Sequence, residues 1–238
     1  MKTIVVIPTY NEAVNIVSLI KEIQKLNCRE LEIVVVDDNS PDGTWKLVEQ
    51  LQKKNKGIHL IRRNNQRGRG SAGIEGFKYA LERGADYIVE MDADFSHDPK
   101  YLPALINKLQ EADMVLGSRA VKEGSDNDRP LRRRLLTKGA NMYIRWMLGV
   151  NVRDCNSGYR AYRRKVLETI DVEKIRAKGP EIVQEILYKA HLSGFKIAEI
   201  PIAFIERRKG SSKLGMRHLY RGYIAVLKLR LLHFFGKI

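Results

Sequence analysis

A chain of 238 residues that is 44% hydrophobic has apolar material for one large or two small domains. Its 43 Lys and Arg against 28 Asp and Glu leave a formal charge of +15, which points to an anionic partner: nucleic acid, a membrane surface or a phosphorylated substrate. Two widely separated cysteines, Cys28 and Cys155, argue against a disulfide framework and for a reduced interior. No apolar run approaches the ~18–20 residues needed to cross a bilayer, and the opening Met1-Lys2-Thr3-Ile4-Val5-Val6-Ile7-Pro8 is too short for a signal peptide and reads as a strand.

Along the chain, apolar β-rich runs alternate with helical patterns. Strands are expected at 4–7, 33–36, 58–61, 87–91 and 114–117, with helices over 12–27, from 42, over 72–83 and after Pro99. The strand runs are continuously apolar rather than alternating, which indicates burial on both faces and hence a parallel sheet covered by helices. The order is that of an open α/β fold. A charged, glycine-containing segment, 121–134, is expected to form a mobile loop over one sheet edge. Helices follow at 133–148 and 182–192, then a short β region over 195–206 and a final helix.

The polar residues gather just after the strands. They are Pro8-Thr9-Tyr10-Asn11-Glu12, Asp37-Asp38-Asn39-Ser40-Pro41-Asp42-Gly43-Thr44, the run from Arg62-Arg63 to Arg67-Gly68-Arg69-Gly70, Asp92-Ala93-Asp94, and Gly117-Ser118-Arg119. One such cluster could be a capped turn; five on one sheet edge read as a binding site, since ligands of open α/β sheets lie outside the carboxyl ends of the strands. In Asp92-Ala93-Asp94 two carboxylates one residue apart follow an apolar strand, and alternate side chains of an extended chain share a side. They can converge on a hard divalent cation, which would offset their repulsion, or merely cap the helix after Pro99. Glu12 can serve equally as a carboxylate in the first turn of a helix, and His97 reads as a helix-start residue. Acids at three strand ends argue against nucleic acid, whose phosphates they would repel. A sugar nucleotidyltransferase would want a Gly-rich, Lys-containing first loop, which Pro8-Thr9-Tyr10-Asn11-Glu12 is not.

These motifs resemble the family 2 glycosyltransferases and, more closely, the dolichyl-phosphate (polyprenyl-phosphate) mannose synthases. The resemblance extends through Gly139-Ala140-Asn141, Asp154-Cys155-Asn156-Ser157-Gly158-Tyr159-Arg160-Ala161-Tyr162, Gln184-Glu185 and Gly210-Ser211-Ser212-Lys213-Leu214, and covers residues 4 to about 215. It implies the GT-A nucleotide-diphosphosugar fold over 1–213, followed by an amphipathic, basic C-terminal helix over 214–238. The activity implied is inverting mannosyl transfer from GDP-mannose to a dolichyl or polyprenyl phosphate, the alternative being a hexosyltransferase that uses a UDP-sugar.

By the same resemblance Pro8, Tyr10, Glu12, Val36, Asp38, Asp92, Arg207 and Lys213 would bind the donor nucleotide. Asp92 and Asp94 would hold Mg2+ or Mn2+. Arg119, Arg133 and Thr137 would take the acceptor phosphate, and Asp92, Asp94, Arg119 and Arg133 would be the catalytic group. Two departures stand out. Gly68-Arg69-Gly70 occupies a stretch where mannose synthases often carry a Leu-Gly-Leu-Gly-type run, and longer relatives add transmembrane helices after the catalytic domain.

The C-terminal stretch carries Leu219, Tyr223, Ile224, Leu227, Leu231 and Phe234 at helical spacing, with Arg217, Arg221, Lys228 and Arg230 among them. Such a helix either packs on the core by its stripe or lies on an anionic leaflet. The expectation is peripheral attachment at the cytoplasmic face of the membrane, where the lipid phosphate lies. A small membrane-embedded subunit is a further candidate partner.

Overall fold

The structure, a computed structural model, describes residues 1–26, 28, 30–205 and 216–236, with backbone only for 216–221. Seven strands form one sheet: β1 (Thr3–Thr9), β2 (Leu31–Asp37), β3 (Ile58–Arg62), β4 (Tyr87–Glu90), β5 (Met114–Ser118), β6 (Arg160–Arg163) and β7 (Ile197–Pro201), in the order β3-β2-β1-β4-β6-β5-β7. All pairings are parallel except those of β6, which runs antiparallel between β4 and β5. The helices are α1 (Ile16–Gln24), α2 (Thr44–Lys54), α3 (Arg69–Glu82), α4 (Leu102–Lys108), α5 (Leu131–Leu148), α6 (Arg164–Thr169), α7 (Ile182–Leu192) and α8 (Met216–Phe234).

The continuous apolar strands do serve two cores. Ile4, Val6, Val34 and Val36 pack on one face with Phe77 and Tyr162, while Val5, Ile7, Ile33 and Val35 pack on the other with Leu19, Ile20 and Leu105. From β1 the chain winds outward to β2 and β3, then returns to place β4 on the other side of β1. Ligands of such sheets sit where the strand order reverses, which here is the gap between the ends of β1 and β4. Pro8 pairs with Val36 of β2 but lies beyond the last β1–β4 partner, Val6–Glu90, so its missing N–H costs that ladder nothing.

Several boundaries differ from the sequence expectation, for tertiary reasons. The stretch 12–15 forms a turn in which the Glu12 carbonyl accepts from both Asn15 and Ile16, so α1 begins at Ile16. By contrast α3 extends back to Arg69, because the Lys178 carbonyl caps the N–H groups of Gly70 and Ser71 at 3.1 and 3.2 Å. The first two residues of α5, Leu131 and Arg132, were expected in the preceding loop, with the helix starting at 133. Pro130 sets up that helix start, since proline has no N–H for the first turn to leave unsatisfied. The loop before it is tied to β7's continuation by Ser125 N–H to the Ile202 carbonyl (3.0 Å) and Phe204 N–H to the Ser125 carbonyl (2.9 Å).

β6 was not anticipated. Arg-Ala-Tyr-Arg is short and half polar, yet Arg160 is fully buried. Its guanidinium donates to the carbonyls of Ser157 (2.6 Å), Cys155 (2.9 Å) and Val183, which compensates the burial of the charge.

Helix α3 presses onto β1 at Gly76, where a Cβ would stand 2.2 Å from Val6 Cγ1. Gly76→Ala is therefore expected to destabilise the protein by about 1–3 kcal/mol through overpacking, despite alanine's higher helix propensity. Urea unfolding of the two proteins checks this; equal stability would show that the sheet yields at this point.

Candidate active site

The floor of the site is a set of loop locks. Asp37, fully buried, accepts from Thr9 Oγ1 (2.8 Å), Ser40 Oγ (2.6 Å) and Ser40 N–H (2.8 Å). Ser40 Oγ in turn accepts from Asn11 N–H (2.9 Å), Thr44 Oγ1 from Glu12 N–H (2.9 Å) and Asp42 from Ala13 N–H (3.0 Å). The Ser-Pro-Asp-Gly-Thr run thus fixes the β1 loop against the β2 loop. Tyr10 is half-buried there, with the Arg67 guanidinium 4.9 Å from its ring centroid. Glu12 accepts from Asn15 Nδ2 at 2.8 Å.

Of the donor-site expectations, Val36 was to act through its backbone and Asp38 through its carboxylate. The Val36 side chain lies in the core, leaving only its backbone at the site. Both carboxylate oxygens of Asp38 are already engaged: Oδ1 by the Arg63 guanidinium (Nε at 2.7 Å) and Oδ2 by Gly68 N–H (2.8 Å). Arg63 had no sequence signal separating it from Arg62, which instead stacks on Trp45 at 3.6 Å.

β4 ends at Glu90, so strand alternation does not aim Asp92 and Asp94; the bends that follow do. Asp94, 3% exposed, accepts the Ser96 N–H at 3.0 Å. The Asp92 side chain is 35% exposed and lies 3.8 Å from His97 Nδ1. His97 does not start a helix: Asp98 caps the following turn through Lys100 N–H (2.9 Å). His97 is buried instead, stacked on Tyr159 at 5.0 Å, and its Nδ1 accepts the Asp92 N–H at 3.0 Å. Burial lowers its pKa, against the opposing pull of both Asp92 and Asp94, so the ring stays neutral and able to accept.

Among the described residues no group of three or more His, Cys, Asp or Glu side chains forms a metal cage. Two hard carboxylates, one partly open to solvent, nevertheless fit a cation such as Mg2+, which is commonly held by one or two carboxylates plus substrate phosphates.

On the other flank Arg119 is gripped by Asp154: Nε to Oδ2 (2.7 Å), Nη2 to Oδ1 (2.8 Å), with the Arg119 N–H also donating to Oδ2 (3.1 Å). Burial opposes both charges, but the pairing wins, so Asp154 is held below the usual carboxylate range and Arg119 above its own. Asp154 also accepts from Asn141 Nδ2 (3.4 Å); Asn156 bridges Asn141 and Gln184 at 2.7 Å on each side. Arg133, Thr137 and Asn141 are spaced four apart on α5 and share one face, so the row that ends in Asn141 leads back to the Asp154–Arg119 pair. Arg133 is exposed and Thr137 half-buried. Asn141, Asp154, Asn156 and Gln184 stood in the quoted motifs without a role; their mutual bonding is visible only in three dimensions. Arg207 and Lys213 lie outside the described residues.

The model of glycosyl transferase family 2 matches residues 4–171. A polyprenol monophosphomannose synthase of Mycolicibacterium smegmatis is 41% identical over 216 residues, covering 90% of this chain and 81% of that protein. An undecaprenyl-phosphate mannosyltransferase of Micrococcus luteus is 38% identical, covering 90% and 88%. A dolichol-phosphate mannosyltransferase of Pyrococcus furiosus is 40% identical over 93% of this chain and 63% of its own length. Among solved structures, glucosyl-3-phosphoglycerate synthase from Mycobacterium tuberculosis with Mn2+, UDP-glucose and phosphoglyceric acid superposes with a TM-score of 0.71 at 21% identity, over 96% of this chain and 79% of that one. Its complex with Mg2+ and UDP gives 0.68 at 20% identity, over 98% and 78%. These likenesses establish the GT-A fold.

Proposed function

The chain belongs to glycosyl transferase family 2 and is a glycosyltransferase, and from that membership we propose that it transfers mannose from GDP-mannose to a dolichyl or polyprenyl phosphate with inversion. The observation that supports the reading is the order of charged groups along the carboxyl edge of the sheet. Asp92 and Asp94 follow β4, Arg119 follows β5 and is held by Asp154, and Arg133 and Thr137 share one face of α5. The relatives described above, named for mannosyl transfer to polyprenyl-type phosphates, supply the substrate class.

A phosphate monoester is anionic near neutral pH, so the acceptor needs no strong general base. The demand is positional: two anions must be brought together in line. Arg119, with its fork oriented by Asp154, and Arg133 suit the acceptor phosphate, with the Thr137 hydroxyl beside them. Asp92 and Asp94 would hold Mg2+ or Mn2+, which supplies charge neutralisation for the departing nucleoside diphosphate. Pro8, Tyr10, Glu12 and the Val36 backbone would line the nucleotide, with Arg207 and Lys213 near its phosphates, and Asp38 shaping the wall through Arg63. A screen of GDP-mannose, UDP-glucose and other donors with a short polyprenyl phosphate, with Mg2+, Mn2+ or EDTA, tests this. Transfer from a UDP-sugar alone would reject the mannosyl reading.

The acceptor's location makes peripheral attachment at the cytoplasmic leaflet part of the proposal. Among the described residues no helix is long and apolar enough to cross a membrane. Helix α8 settles on the body through Val226, Leu229 and a Tyr223–Tyr143 ring contact, while Ile224, Leu227, Leu231 and Phe234 remain 45–80% exposed. Beside it α5 exposes Leu131, Leu135, Met142 and Trp146 by 60–79%, within about 60° of helical arc, flanked by the exposed Arg134, Lys138 and Arg145. Apolar stripes rimmed by cations suit an anionic leaflet. The full chain is expected to float with anionic vesicles at low salt and less at high salt, and Trp146→Glu to weaken flotation. Protein that stays at the bottom at low salt would assign membrane recruitment to a separate embedded subunit.

A further inference from the structure

Arg69, the first residue of α3, stands in a seat built around its charge. Nε and Nη2 lie 3.0 and 2.9 Å from Asp92 Oδ1, and Nη1 lies 3.1 Å from Glu90 Oε1. Glu90 is fully buried, and its Oε2 has no hydrogen-bond partner among the described residues. Gly158 leaves the room: a Cβ there would come within 2.6 Å of Arg69 Nη2. The side chain is therefore a cation enclosed against one of the two carboxylates offered to the metal.

Resting on the reading of Asp92 and Asp94 as metal ligands, we propose that Arg69 is a resident cation that balances Asp92 while the donor is absent and so makes divalent-metal binding depend on the nucleoside diphosphate. Two facts lead there. With no cage of three or more metal-binding side chains among the described residues, the protein alone under-fills the shell of a hard cation, which takes about six oxygens. With a guanidinium already on Asp92, an incoming ion also meets repulsion. A neighbouring Arg makes a carboxylate roughly tenfold to a thousandfold poorer at accepting a proton, and a divalent ion carries twice that charge. A diphosphate reverses both handicaps: it brings oxygen ligands, and its negative charge gives Arg69 a second anion to serve. Arg69 is thus a positioning residue for the acidic pair.

The test is Mn2+ binding, read from the free-Mn2+ electron paramagnetic resonance signal of the full chain, with and without GDP or UDP. In the wild type, nucleotide should tighten Mn2+ binding by about tenfold or more. Arg69→Leu should bind Mn2+ alone about tenfold or more tightly than the wild type, with correspondingly less gain from nucleotide. Arg69→Lys should retain the dependence. Because Arg69→Leu strands buried Glu90, Arg69→Leu/Glu90→Gln is compared with Glu90→Gln alone, and the same tightening is expected. Unchanged or weaker Mn2+ affinity in that comparison, with nucleotide-dependent binding intact in the wild type, would overturn the role of Arg69 and leave the metal site standing. Failure of every form to bind Mn2+ even with nucleotide would overturn the metal site itself, and this proposal with it.

Discussion

Asp94→Asn is expected to lower sugar transfer by on the order of 10³-fold, the scale at which loss of one charge-stabilising group in a closed site is felt, with no measurable change in thermal stability. The substitution is nearly silent structurally. Asp94 is buried and accepts the Ser96 N–H, a proton that an asparagine Oδ1 accepts as well. What disappears is the negative charge, and a neutral amide is a poor substitute for a carboxylate on a hard cation. Transfer from GDP-mannose to a short polyprenyl phosphate, measured beside the melting temperature, separates the two effects. Full activity in the variant, or in the wild type under EDTA, would remove the metal from the reaction.

Arg119→Ala should have two large effects that can be separated. The first is on stability. Asp154 is fully buried, and removing its partner strands the charge, at a cost of about 3–5 kcal/mol. The pair also has a definite pH window. The pKa of Asp154 in the folded protein is lowered, so its contribution is fully present above the unfolded carboxylate value of about 3.9 and is lost as the pH falls through the folded value below it. The wild type should accordingly hold this contribution through neutral and mildly acid solution, whereas burial raises the stranded Asp154 of the variant, so the difference between them should begin to shrink above about pH 4 as that carboxyl takes up a proton.

The second effect is on the acceptor. Arg119→Leu/Asp154→Leu removes both charges, so it should recover much of the stability while transfer stays depressed, with nucleotide affinity near that of the wild type. Calorimetry with GDP and a titration of acceptor concentration distinguish the outcomes. Equal loss of nucleotide affinity would move Arg119 from the acceptor to the donor.

The sheet and its active edge were legible in the linear chain. Five parallel strands could be found because burial on both faces leaves an unbroken apolar run, as in Ile4–Val5–Val6–Ile7, and such runs do not depend on what packs against them. The acids and hydroxyls after each run marked the carboxyl edge for the same reason: a polar residue directly after a buried strand has few places to go. Family motifs then assigned roles to Asp92, Asp94 and Arg119.

What the chain order could not show was which charges neutralise each other. Asp38 looks like a ligand residue until Arg63, 25 positions on, closes over it. Asp154 explains the orientation of Arg119 across 35 positions. Arg69 reaches Glu90 and Asp92 only because the Lys178 carbonyl, far downstream, caps the helix that carries it. β6 was hidden for a related reason: its arginine is buried among backbone carbonyls of distant segments. Hydrophobic periodicity is a local property, and repeats on the scale of a turn or a pleat. Compensation of a buried charge is non-local, because the low-dielectric interior demands a partner but leaves open where along the chain that partner comes from.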